Sequence, residues 1–267
     1  MRQRLLLIFQ WNDLIRNMTL RNLRIRYKGS VLGFLWTMVN PLLMMLVYFV
    51  FISLLKIGIG LPELLIGILT WQFFVMCLSD SVNVITGFPT LIKRTYFPRL
   101  IFPLSMVLAN LINFLLSLIV LAVFLLIYIF IVNPAYPLAI GWPLLLLPLL
   151  IVLQSGLILG LSSLFSAANV YFKDIEHIVS VALLAWFFLT PVMYTLTLVE
   201  SRISEPLFNI YLLNPMTSLI ISYRHLILGT PLPAAITFWI SLLLSPLIMI
   251  LGIAFFWKKE LYFADEL

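Results

Sequence analysis

The sequence has few charged residues, few histidines and a single cysteine. Aspartate, glutamate, lysine and arginine make up 10% of its 267 residues, whereas soluble domains carry about 25%. The two histidines, His177 and His225, lie far apart along the chain, so they are not expected to share a metal or to act together in catalysis. Cys77 has no second cysteine to pair with and is predicted to be a buried thiol. We therefore expect no metal site and no catalytic residues.

Nucleotide-binding motifs are also missing. None of the 11 glycines is followed by lysine, which excludes the G-x-x-x-x-G-K-[ST] loop that cradles phosphates. Charges inside the apolar stretches are almost absent as well, and these would mark an ion or proton route through a membrane. Asp80 is the exception, and its position near the end of one stretch predicts an interfacial hydrogen-bond acceptor.

Long hydrophobic stretches fill most of the chain, and 63% of its residues are hydrophobic. A stretch of about 20 apolar residues is long enough to cross the hydrocarbon core of a bilayer. The pattern predicts an all-α integral membrane protein that forms one domain over residues 1–267. The six predicted membrane spans are 31–55, 64–84, 103–132, 142–167, 178–194 and 235–257.

The basic residues are distributed unevenly between the two sides that these spans define. Six spans place both termini on one side, and 13 of the 16 lysines and arginines fall on that side. The three on the other side are Lys56, Arg202 and Arg224. Because cytoplasmic segments are enriched in lysine and arginine, both termini are predicted to be cytoplasmic. The net charge of +6 is thus explained by topology, and no nucleic acid is expected as a partner.

Residues 1–30 are predicted to form an amphipathic helix that lies flat in the cytoplasmic interface. On a helical wheel Trp11, Leu14, Ile15, Met18 and Ile25 share one side, which is expected to face acyl chains. The stretch "LRNLRIRYKGSVLGFLW" then holds Arg24, Arg26 and Lys28 at the depth of lipid phosphates. Gly29 and Ser30 are expected to end this helix before the first span.

Two connecting segments have unusual compositions. Residues 85–102, which overlap the stretch "GFPTLIKRTYFPRLIFP" (87–103), combine Lys93, Arg94 and Arg99 with Tyr96 and Phe97. This mixture predicts a short helix with exposed aromatic and basic side chains that docks on another protein, with an ordinary basic loop as the alternative. Residues 196–233 are external and contain apolar runs too short to cross a bilayer. They predict re-entrant helices that cap a pathway, with a helical hairpin on the membrane surface as the alternative.

Aromatic residues are abundant in the first, second and fifth spans, where they predict either a pathway lined by rings or ordinary membrane packing. Tyr48, Phe51, Trp186, Phe187 and Tyr194 belong to this group. Gly156 and Gly160 form a G-x-x-x-G pattern in the fourth span, which predicts a close contact between helices.

Four segments carry a resemblance that covers nearly the whole chain. They are "RIRYKGSVLGFLWTMVNPL", "LIKRTYFPRLIFPL", "NVYFKDI" and "LNPMTSLIISYRHLILG". Together they resemble the permease subunit of ATP-binding-cassette (ABC) exporters of surface polysaccharides, which act in the bacterial inner membrane. Lys173 stands where that family commonly has arginine, so a bidentate role at this position is in doubt.

The resemblance implies a homodimer with two copies of a separate cytoplasmic ATPase, which bind ATP and magnesium, and a substrate carried on undecaprenyl pyrophosphate. The side chains expected to line the channel are Tyr48, Phe51, Trp186, Phe187 and Tyr194. Those expected to recruit the lipid head group are Arg24, Arg26 and Lys28. The expected ATPase contacts are Lys93, Arg94, Tyr96, Phe97, Arg99 and Asp174, and the expected external gate is Asn214, Pro215, Tyr223 and Arg224.

O-antigen is the polymer that we favour at this point. A capsule or teichoic acid exporter is the nearest alternative, and an exporter of drugs or small lipids is also compatible with the aromatic residues. A membrane-embedded glycan enzyme would need convergent acidic or histidine side chains, for which only Glu200, Glu205 and His225 are crowded candidates. A secondary transporter is disfavoured by the scarcity of ionisable groups within the spans.

Overall fold

The chain folds into α-helices joined by short turns. The computed structural model describes residues 10–56, 58–134 and 141–267, and within these ranges no β-strand occurs. The first nine residues of the predicted interface segment, including Arg2 and Arg4, lie outside them. The helices are α1 Asn12–Tyr27, α2 Trp36–Leu55, α3 Leu61–Val82, α4 Pro89–Arg94, α5 Ile101–Ile127, α6 Leu147–Tyr171, α7 Ile175–Phe188, α8 Leu196–Glu200, α9 Glu205–Leu212, α10 Pro215–Leu228, α11 Ile236–Lys259 and α12 Phe263–Glu266.

Four helical segments are long and apolar enough to cross a membrane. They are Leu61–Val82, Ile101–Val132, Trp142–Tyr171 and Ile236–Glu266, with 22 to 32 residues each. At about 1.5 Å per residue, even the shortest exceeds the ~30 Å hydrocarbon core. The protein is therefore an integral membrane protein. Two further apolar helical stretches, Val39–Leu54 and Ile175–Phe188, are shorter.

Helix α7 ends earlier than the sequence pattern predicts. The expected span 178–194 gives way after Phe188 to a turn, and Pro191 lies buried within that turn. Proline cannot donate a backbone hydrogen bond and disfavours helical geometry in the residue before it. With 14 residues, α7 reaches only about 21 Å. The chain then turns back through the short helices α8 to α10.

Helix α3 lies at the centre of the bundle and contacts α2, α5, α6, α7 and α10. Its side chains supply much of the largest hydrophobic cluster, which includes the buried Phe74 and Leu78. Cys77 is also buried there as a free thiol, as predicted. The other helices thus surround α3 and take their positions from it.

Helices α6 and α11 pack backbone against backbone at two glycines. A Cβ atom on Gly160 would lie 2.5 Å from the carbonyl oxygen of Ile248, and one on Gly252 would lie 2.0 Å from that of Gly160. Any side chain at either position would therefore separate the two helices. The close contact predicted from the G-x-x-x-G pattern is confirmed at Gly160, whereas Gly156 faces only the flexible side chain of Met249.

The two ends of the bundle differ in their short helices. One end, which we call the basic end, carries α1, α4 and α12. There Ile15 and Met18 of α1 are buried in a cluster with Phe102 of α5, so this part of its apolar side faces protein where the sequence predicted acyl chains. Gly29, with φ +80°, ends α1 in the left-handed region that glycine favours. The opposite end carries α8, α9 and α10.

Candidate functional site

A groove of about 670 Å³ runs between α2, α3 and α7. Its walls hold a series of aromatic rings, in which Phe187 lies 6.0 Å from Tyr48 and 5.7 Å from Trp71, measured between ring centroids. Phe51 and Phe188 also line it and are 59% and 65% exposed. Of the five residues predicted to line a channel, Tyr48, Phe51 and Phe187 therefore lie in this groove.

The polar part of the groove is small and consists of amide and hydroxyl groups. Gln72, Ser79 and Ser180 lie in its wall beside the rings, and no lysine, arginine or carboxylate is among its lining residues in the described parts of the chain. Such a surface can stack against sugar rings and form a few hydrogen bonds with them. It offers no charged group that would hold one ligand tightly.

Trp186 and Tyr194, also predicted to line the channel, lie behind the groove. The indole Nε1 of Trp186 donates to Asn214 Oδ1 over 2.9 Å, and its ring packs edge-on against Phe74. Asn214 caps α10 by accepting from the Met216 amide and donates to Thr190 Oγ1. These two residues therefore fix the end of α7 to the start of α10.

Tyr194 belongs to the same connection. Its hydroxyl donates to the Phe188 carbonyl over 2.8 Å and lies 3.3 Å from the hydroxyl of Tyr211. Partial burial raises the pKa of the Tyr211 phenol, and the neighbouring Tyr194 raises it further. Both hydroxyls therefore remain protonated at neutral pH and act as hydrogen-bonding groups.

Tyr223 and Arg224, two of the predicted gate residues, are buried in α10, at the end of the bundle opposite the basic end. Tyr223 donates to Gln154 of α6, whose amide in turn donates to the Thr70 carbonyl of α3. Arg224 donates to the backbone carbonyl oxygens of Glu63, Val192 and Tyr194 over 2.9 to 3.1 Å. Pro215, the remaining predicted gate residue, is buried in the first turn of α10.

Glycine makes the approach to Arg224 possible. A Cβ atom on Gly67 would lie 2.7 Å from the Val192 carbonyl oxygen and 3.0 Å from Arg224 Nη2. The side chain of Arg224 thus joins α10, the start of α3 and the turn after α7 into one connection. These three hydrogen bonds are to backbone carbonyl oxygens within the protein, and the role of Arg224 in an external gate stays a prediction.

Arg26 is paired inside the protein. Its guanidinium forms a salt bridge with Asp80 of α3 and donates to Asn110 Oδ1 of α5 over 2.6 Å. Asn110 completes the triangle by donating to Asp80 over 2.9 Å. Arg24 and Lys28 are exposed. Asp80 is a hydrogen-bond acceptor, as predicted, and it pairs with Arg26, whose side chain is 25% exposed. Recruitment of a lipid head group by Arg26 stays a prediction.

The surface of the basic end combines exposed and buried members of the predicted ATPase contact. Lys93 and Arg94 of α4 and Asp174 are exposed, and Tyr96 is 92% exposed. Phe97, predicted as an exposed aromatic, is only 4% exposed because its ring packs between Trp11 and Phe102.

Arg99 is held by the segment that follows α11. Its backbone amide donates to Glu260 Oε1 over 2.7 Å, and its guanidinium lies within hydrogen-bonding distance of the Glu260 carbonyl. Nearby, Phe263 of α12 is buried against Phe256 and Tyr171. Arg99 therefore joins the loop after α4 to the end of α11, a contact that the sequence did not predict.

Comparison with known proteins places this architecture in a family. The family model described as ABC-2 type transporter matches residues 13–228. The chain belongs to the ABC-2 type transporter family. A protein of Myxococcus xanthus named O-antigen export system permease protein RfbA is 34% identical over 232 residues, which cover 85% of each chain. A Klebsiella pneumoniae protein of the same name is 31% identical over 262 residues, which cover 96% of this chain and 95% of that one.

The match of this ABC-2 transporter chain to the family model runs from α1 to the end of α10. It thus includes the aromatic groove, the Arg26 triangle and the Arg224 connection. Sequence reasoning found the aromatic members of the groove but not its polar members Gln72, Ser79 and Ser180. It also missed Asn110 and Gln154, because a few polar residues within long apolar runs do not show which helix they will face.

Proposed function

We propose that this chain is the membrane subunit of an ABC transporter that exports O-antigen, with the aromatic groove between α2, α3 and α7 as its share of the polymer pathway. Family membership and relatives named O-antigen export permease over most of their length support the assignment. The single observation that carries the pathway is the series of rings formed by Tyr48, Phe187 and Trp71. Aromatic rings can stack on sugars of different identity, and a polymer that moves along the pathway requires such contacts.

In this proposal α2 also crosses the bilayer, and the sixth span consists of α7 together with the turn that follows it, because α7 alone is shorter than the ~30 Å hydrocarbon core. The chain then has six spans in the bacterial inner membrane. The basic end faces the cytoplasm, because Arg24, Lys28, Lys93 and Arg94 are exposed there. Helices α8 to α10 then close the outer end of the pathway. A lipid-linked polymer, carried on undecaprenyl pyrophosphate, enters from the cytoplasmic leaflet.

A second copy of the chain completes the pathway. The groove is bordered by exposed apolar side chains, among them Val47 of α2 and Leu184 of α7, which are 62% and 63% exposed. Pairing two copies across α2 and α7 buries these side chains and encloses the two grooves in one channel.

Two copies of a cytoplasmic ATPase, which hold ATP and magnesium, dock on the basic end. The docking surface consists of α4 with Lys93 and Arg94, the exposed Tyr96 and the turn at Asp174. Closure of the ATPase pair moves α4, and the Arg99–Glu260 contact carries this displacement to α11.

Export by cells whose own permease gene is deleted tests the pathway. The chain, supplied with its ATPase, is expected to restore surface O-antigen, and Phe51→Ala together with Phe187→Ala is expected to lower the export rate by about two- to tenfold for each ring removed. The amount of O-antigen at the cell surface over time is measured by gel electrophoresis and immunoblotting.

Phe49→Ala is the matched control, since Phe49 lies on the same helix and does not line the groove. We expect normal export from this variant at equal protein level. Normal export from the double groove variant would contradict the proposed pathway. Restoration of a capsule or teichoic acid polymer instead of O-antigen would contradict the proposed substrate.

A further inference from the structure

A second cavity, of about 230 Å³, lies where the end of α1 meets α2, α3 and α5. Its wall differs from that of the groove in holding many side chains with amide groups. Asn40, Gln72, Asn110 and Asn113 line it from three different helices, together with Arg26. Asn110 and Asn113 are 2% and 5% exposed, so the cavity reaches into the protein.

Amide side chains are costly at this place. Helices α2, α3 and α5 are apolar, and transfer of an amide from water into an apolar medium costs about 2–7 kcal/mol without a hydrogen bond. Polar residues in membrane helices generally face a cavity or a partner for this reason. Asn110 is satisfied by Arg26 and Asp80. Asn40 of α2 and Gln72 of α3 are partly exposed in the cavity wall, and they indicate that the cavity takes up a ligand with hydrogen-bonding groups.

The cavity is neutral in spite of Arg26. Asp80 neutralises the guanidinium, and Asn110 bonds to both partners of this ion pair. Among the described residues that line the cavity, Arg26 is the one charged side chain. A phosphate would have to compete with Asp80 for it. The arrangement therefore favours an uncharged ligand over the pyrophosphate head group.

Size and shape favour a single ring. Pockets for drug-sized ligands have volumes of ~300–1,000 Å³, so this cavity is too small for an oligosaccharide. Phe73 and Phe114, each 3% exposed, stack 4.7 Å apart and form an apolar part of its wall. Trp36, 44% exposed, stands at the mouth.

We infer that this cavity binds one uncharged sugar ring of the exported glycan, with Asn40 and Gln72 as its hydrogen-bonding groups. The inference rests on the proposed export function and adds a site to it. The charged head group then stays outside the cavity, near the exposed Arg24 and Lys28. Arg26, predicted to recruit that head group, instead shapes the sugar site by holding Asn110 in place.

The inference is tested on the full chain in lipid nanodiscs by saturation-transfer difference NMR. The probes are the methyl glycosides of glucose, galactose, mannose and N-acetylglucosamine, with inorganic pyrophosphate observed by phosphorus NMR. We expect saturation transfer to at least one glycoside and at least a fivefold smaller signal in Asn40→Leu. Leucine nearly preserves the side-chain volume and removes the hydrogen-bonding groups. Trp36→Ala, at the exposed mouth, is a second variant with the same expected loss.

Phe49→Ala is the control, since Phe49 lies on the same helix as Asn40 and lines neither the cavity nor the groove. The glycoside signal is expected to persist in this variant. Loss of the signal in Phe51→Ala but not in Asn40→Leu would place sugar binding in the groove, and would overturn this inference while leaving the proposed export function intact. Absence of glycoside binding, or binding of pyrophosphate that Arg26→Gln abolishes, would also overturn it. Failure of the proposed function appears separately, as absence of O-antigen export by the unaltered chain.

Discussion

A methyl group on Gly160 is expected to force α6 and α11 apart. The new Cβ atom would lie 2.5 Å from both the Ile248 carbonyl oxygen and the Met249 Cα atom, whereas nonbonded carbon atoms prefer about 3.5–4.0 Å. One backbone must therefore move by about 1 Å, and neither can rotate away as a side chain would. Overpacking of this kind costs typically ~1–3 kcal/mol.

The assay is thermal unfolding of the purified chain in detergent. For a loss of about 2 kcal/mol we expect Gly160→Ala to unfold about 4–8 °C below the unaltered protein, by the scaling for chains of this size. Gly156→Ala is the matched control one helical turn away. Its Cβ atom would meet the Met249 sulfur at 3.2 Å, and this flexible side chain can shift. Equal unfolding temperatures for Gly160→Ala and Gly156→Ala would refute the close backbone contact.

Two further predictions concern arginines that are hydrogen-bonded within the protein. Arg224→Lys is expected to lower the free energy of unfolding by about 2–4 kcal/mol, because one ammonium group cannot reach all three carbonyl oxygens to which the guanidinium donates. Thermal unfolding measures this change. Arg202→Lys, at an exposed position, is the control. Asp80→Asn is expected to lower the free energy of unfolding by more than the ~1 kcal/mol that an exposed ion pair contributes. The loss is expected to be smaller than the ~3–5 kcal/mol for breaking a fully buried pair, since both partners are partly exposed. A double-mutant cycle with Arg26→Gln that gives no coupling energy would contradict the pairing.

Much of the fold could be predicted from local patterns in the sequence. Apolar runs located the four long helices, and Gly29 marked the end of α1 because its φ of +80° suits glycine. Pro191 was also a signal for the early end of α7. The predicted span nevertheless included it, since the apolar residues continue to Met193. Hydrophobicity alone therefore overestimated the length of that helix.

Contacts between distant parts of the chain were not predictable. Arg26 and Asp80 are 54 positions apart, and Arg224 and Glu63 are 161 apart. No spacing rule links such pairs, because they meet only through the packing of whole helices around α3. For the same reason the sequence predicted an exposed side chain at Phe97, whereas Trp11 at the start of α1 packs against its ring.

The glycine contact between α6 and α11 also bears on the order in which the protein assembles during synthesis. The two glycines are separated by 92 positions (252 minus 160), and a ribosome adds about 5–20 residues per second. Helix α6 therefore waits roughly 5–20 seconds in the bilayer before its partner emerges. During that interval Gly160 lacks the backbone against which it packs in the folded protein, so this contact forms only when α11, the last of the four long helices along the chain, has been made.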